Sequence, residues 1–147
     1  MKRSSKWCGT LWNTFPEGEI MDHLHSWLRF PVYLLGLAAF GYALWGLLRK
    51  RPYRKLMWDL AGAFTISLYV QIVLGFLMIF TSRYFSGPLG VHMVFSMAAA
   101  VLAQLTYSAN RRRPREERHY SLHVWGVGLA LVLLVVGILV MHDSGLS

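Results

Sequence analysis

The sequence predicts an all-α integral membrane protein: a single up-down bundle of four transmembrane helices with both termini extracytoplasmic. Three observations carry that expectation. First, 55% of the 147 residues are hydrophobic and the mean hydropathy is +0.40, more apolar than a soluble domain of this size. Second, the apolar residues fall into four runs near the roughly 20 residues that cross a hydrocarbon core about 30 Å thick. Third, most of the basic residues collect between those runs rather than inside them.

Residues 1–24 are mixed, with Lys2, Arg3 and Lys6, then Trp7, Leu11, Trp12 and Phe15, then Glu17, Glu19 and Asp22. Aromatics among polar spacers and a Pro-Glu-Gly break fit an extracytoplasmic segment at the membrane interface. The stretch before Cys8, MKRSSKW, has no apolar core of the kind a signal peptide carries. The membrane domain follows over residues 25–142, and 143–147 form a short polar tail.

The first span is expected over 27–48, with Arg29 and Pro31 in its first turns, where snorkelling and an early proline are tolerated. The second begins at 58 or 60 and ends at 80, the third is shorter at 90–107, and the fourth is 122–141. Arg49, Lys50, Arg51, Arg54 and Lys55 lie between the first and second spans. Arg111, Arg112, Arg113, Arg115 and Arg118 lie between the third and fourth, against Arg83 alone in the middle connection. By the positive-inside bias the two basic connections are cytoplasmic. Short connections make sequential helices antiparallel neighbours. Gly36, Gly41, Gly62, Gly75, Ala98 to Ala100, Gly126 and Gly128 allow the close helix approach that lipid does not otherwise drive.

The formal charge of +8, from 15 Lys+Arg and seven Asp+Glu, would suggest nucleic acid in a soluble chain. Its placement reads instead as topology against a lipid bilayer, with no nucleic-acid partner. Cys8 is the only cysteine. The chain therefore has no intramolecular disulfide, no thiolate metal cage and no C-x-x-C-H for covalent haem. Glycine-rich phosphate loops, H-E-x-x-H and Ser-His-Asp patterns are absent from the sequence.

The six histidines sort by depth. His25 opens the first span and His92 the third. Both spans run inward from outside, so the two imidazoles come to one level on parallel helices, adjacent or diagonal in the bundle. A histidine pair at one depth on two helices is the arrangement that axially ligates haem iron. Ser96, Ala99 and Ala103 follow His92 on one helical face and leave room for a flat macrocycle. Arg29, Val32 and Gly36 stand at the same offsets from His25. Side chains lean towards the helix N-terminus, so Arg29 can point outward to a haem propionate, and Arg83 is a second candidate for that role. His142 and His119 read as interfacial and solvated. His123 has no histidine partner at its level, and Gln71 reads as an interhelical hydrogen-bond donor rather than a quinone ligand.

Gln71-Ile-Val-Leu74-Gly75, a short outer loop, and His92 opening the next helix resemble the repeated half of haem A synthase. Each of that family's two four-helix bundles uses a Q-x-x-L-G helix followed by a histidine-led helix. The helix preceding these begins E-x-x-H-R in the family and is matched here by Asp22-His23-Leu24-His25-Ser26. The resemblance spans residues 22–108. It implies that His25 and His92 are the axial ligands of one b-type haem on the outer side. Asp22 stands for the family's Glu and Ser26 for its Arg, and the chain holds one half-length bundle, so a second haem site needs another chain.

These readings converge on a membrane cytochrome b-type subunit. It would bind one bis-His haem b near the extracytoplasmic side through His25 and His92. The surrounding site residues are Arg29, Arg83, Gly36, Ser96 and Ala99. Electron transfer within a larger membrane redox complex is the expected task, with other subunits as partners, quinone as a candidate electron partner, and a bacterial inner membrane as the location. Two alternatives stand beside it: a haem-modifying enzyme built as a dimer of half-bundles, and an accessory structural or pigment-binding membrane subunit.

Overall fold

A computed structural model of the chain describes residues 17–82 and 86–143. Four long helices account for nearly all of them: α1 Glu17–Leu48, α2 Lys55–Ser82, α3 Gly87–Arg111 and α4 Tyr120–Asp143, with a short 3-10 turn at Arg115–Glu117 before α4. All four are long and apolar enough to cross a membrane. Their outward faces carry large apolar side chains, with Phe80 77% and Trp125 79% exposed. Water would penalise such faces and lipid does not.

Each helix is longer than its apolar run. The largest difference is at α1, which already runs at Glu17, so the part of the N-terminal segment from Glu17 onward is continuous with the first span. Pro31 consequently lies about four turns inside the helix rather than in its opening turn. It has no N–H to offer the Trp27 carbonyl, yet α1 continues through it. At the other boundary Ser86 caps α3, its hydroxyl accepting from the Leu89 N–H at 3.4 Å. Pro88 sits in the first turn, where a missing N–H has little cost.

The α1–α2 turn closes on Lys50, the one described non-glycine residue with positive φ, at 48°. The Arg51 N–H donates to the Gly46 carbonyl and the Arg49 N–H to the Trp45 carbonyl, both at 3.0 Å. This is a left-handed helix stop made with lysine where glycine is usual.

The helices form a closed ring in chain order. Sequential helices pack together, α4 returns to α1, α2 and α4 touch across the short diagonal, and α1 and α3 do not touch. The interior is built on small residues: Ala39, Ala43, Ala61, Ala99, Ala100, Ala103 and Ala130 are buried around Phe64, Met57 and Leu68. Glycines bring the backbones closest. A Cβ on Gly46 would stand 2.7 Å from the Tyr120 ring, and one on Gly126 would collide with the Thr106 hydroxyl.

Candidate functional site: a two-histidine cavity at one end of the bundle

The N-terminal turns of α1 and α3 and the C-terminal turns of α2 and α4 meet at one end, around a cavity of about 510 Å³. That volume is in the range of roughly 300–1,000 Å³ typical of small-molecule and cofactor sites. Both His25 and His92 line it. Since α1 and α3 are the diagonal pair, the two imidazoles reach this space from opposite corners of the bundle. The walls between them are apolar and rich in thioether, with Met78, Met93, Met97 and Met141 alongside Phe76 and Ile138.

Each histidine is seated beside a glycine of the following helix. A Cβ on Gly75 of α2 would lie 3.4 Å from His25 Cε1, and one on Gly137 of α4 would lie 3.3 Å from His92 Nδ1. The two hairpins thus repeat one device, a ring packed where the next helix lacks a side chain. They differ one turn deeper. There α2 carries Gln71, whose amide nitrogen donates to the His25 carbonyl at 2.9 Å and meets His25 Nε2 at 3.2 Å. The equivalent position on α4 is Leu133, which offers no hydrogen bond. His92 Nδ1 and Gln71 Oε1 are both buried without a hydrogen-bond partner among the described residues.

The remaining predicted residues separate into two groups. Arg29 and Ser96 line the cavity with the histidines, and Ser26 and Tyr33 add polar atoms. The Arg29 guanidinium also lies 5.4 Å from the centre of the Phe30 ring. Gly36 and Ala99 are not part of the lining. Ala99 is fully buried in the core, and Gly36 gives way to Phe64 and Leu131, to which an added Cβ would come within 2.8 Å and 2.7 Å. Leu68 and Leu134 bound the cavity at its deep end, so these small residues serve helix packing beneath it. Arg83 lies outside the described residues. Gln71 is an interhelical donor, as the sequence suggests.

His142 is at the rim, exposed and 3.9 Å from Asp143, and does not line the cavity. At the opposite end His123 is 1% exposed. Its partner is Tyr53, whose hydroxyl lies 2.9 Å from His123 Nε2 and whose ring stacks on the imidazole. Tyr120 closes the same end, its hydroxyl donating to the Pro52 carbonyl and accepting from the Arg54 N–H, both at 3.1 Å. Burial pushes the Tyr53 hydroxyl up to about 12, against a smaller opposing pull from Arg118. This end is a packed aromatic plug.

No group of three or more His, Cys, Asp or Glu side chains able to hold a metal ion occurs among the described residues. Two imidazoles do not fill a coordination sphere. They suffice only for a metal whose other ligands arrive with it, as the four pyrrole nitrogens of a porphyrin do. The sequence signals missed here are Gly137 and the methionine walls; a glycine near the end of α4, at the depth of His92, is the trace that Gly137 leaves in the sequence. Comparisons with known protein families, with curated proteins and with solved structures found no significant match.

Proposed function

We propose that the cavity binds one haem b, with His25 and His92 as its axial ligands, and that the chain is a membrane cytochrome b-type subunit passing electrons within a larger redox complex. The observation that carries this is the convergence of two histidines, from diagonal helices, on one apolar cavity. Several features support it. The cavity has cofactor size, and its walls are soft and low in dielectric. Arg29 on the same wall would pair with a propionate, and the Q-x-x-L-G motif resembles that of haem A synthase.

A bound haem supplies a one-electron Fe(III)/Fe(II) couple. The chain's part is to present two imidazole lone pairs, hold the ring in an apolar space and balance its acidic edge with Arg29. With the basic connections cytoplasmic, the cavity faces the extracytoplasmic side of a bacterial inner membrane, within reach of quinone or an external redox partner. Extraction of the pigment from purified protein with mass analysis tests the assignment. One unmodified haem b per chain is expected. A hydroxylated or formylated haem would favour the haem-modifying enzyme, and a chlorin would favour the accessory pigment subunit.

A further inference from the structure

We infer that Gln71 is the positioning residue that sets the tautomer of His25, holding the proton on Nδ1 and the lone pair on Nε2, where a metal would take it. The inference rests on the reading of the cavity as a metalloporphyrin site. Its physical basis is one amide with two partners. A carbonyl oxygen can only accept, so the His25 carbonyl, 2.9 Å from Gln71, requires the NH₂ side of the amide and fixes the amide's orientation. The same nitrogen lies 3.2 Å from His25 Nε2. An amide nitrogen donates and does not accept, so Nε2 must be the acceptor and carry the lone pair. In a neutral ring the proton is then on Nδ1. The choice is between two neutral tautomers, with no change of charge.

The amide thereby fixes the tautomer and the direction of the ring. In a loaded site His25 would hold the metal through Nε2, and Gln71 would keep its bond to the His25 carbonyl, holding α1 and α2 in register. The other hairpin has no equivalent, because Leu133 stands one turn before Gly137. The device belongs to His25 alone, so the two axial ligands are prepared unequally.

Ring ¹⁵N shifts of His25 in the full-length, haem-free protein in nanodiscs test this directly, with His25→Ala used to assign the signal. The wild type is expected to show the Nδ1–H tautomer alone, and Gln71→Leu a mixture that includes Nε2–H. An Nε2–H ring in the wild type, or an unchanged tautomer in a helical Gln71→Leu, overturns the inference. If Gln71→Leu does not fold, the wild-type spectrum still decides. If the wild type shows the expected tautomer yet takes no haem, the cofactor assignment fails and the Gln71 assignment stands.

Discussion

The imidazole of His92 rests against Gly137 of the neighbouring helix, so closely that a Cβ there would stand 3.3 Å from Nδ1 and 3.6 Å from the His92 carbonyl. The glycine is a seat for the ring, and its size sets where the ring can point. Gly137→Ala should push His92 by a few tenths of an ångström and weaken haem binding, and Gly137→Leu should abolish it. Overpacking of this kind costs about 1–3 kcal/mol. Haem titration alongside a helical melting curve separates the effects: binding should fall further than stability.

Glycines elsewhere should behave according to what faces them. A Cβ on Gly126 meets Thr106, whose hydroxyl is tied to the Leu102 carbonyl at 2.8 Å and cannot swing away freely. Gly126→Ala is expected to destabilise the α3–α4 contact by about 1–3 kcal/mol. Gly41 faces open space, so Gly41→Ala should leave stability unchanged or raise it by up to about 1 kcal/mol. Thermal melts of the two variants in one detergent should move in opposite directions or differ by several degrees.

Four spans and their connections are legible in the sequence because apolar run length and basic clusters report directly on a bilayer. The helix ends are less so. Lys55, Arg111 and Asp143 lie within the helices, beyond the apolar runs, because backbone hydrogen bonds continue where side chains leave the hydrocarbon. At the site, depth counting pairs His25 with His92 and brings in Arg29 and Ser96. It sets Gly36 and Ala99 beside the histidines, and neither lines the cavity, since helical periodicity says which residues share a face but not which neighbour fills the space before it. Phe64 and Leu131 fill it at Gly36. Gly137 escapes for the same reason: its partner is 45 positions away and on another helix.

Tyr53 and His123 lock the basic end of the bundle. Tyr53→Phe leaves His123 Nε2 buried without its 2.9 Å partner and should cost about 1–3 kcal/mol. The hydroxyl has a pKa raised from 10.0 to about 12, so the folded state keeps its proton where the unfolded chain loses it. The stabilising contribution is complete below pH 10 and is lost as pH rises through 12. Unfolding followed between those values should show wild-type stability falling with pH, and the decline should be smaller in Tyr53→Phe.

Lys50 pays a conformational cost at the helix stop, with φ at 48°. For a residue with a side chain this region costs roughly 1–2 kcal/mol, so Lys50→Gly should stabilise the α1–α2 turn by about 1 kcal/mol. An equal or lower melting temperature would mean that the lysine side chain supplies an offsetting contact.

The reduced-minus-oxidised absorbance spectrum of the purified protein, compared with His25→Ala and His92→Ala, bears most directly on the two-histidine cavity. A b-type band is expected in the wild type, and each single substitution should remove it or convert it to a five-coordinate spectrum. No band in haem-supplied wild-type protein, or a band unchanged when either histidine is replaced, would contradict axial ligation by His25 and His92.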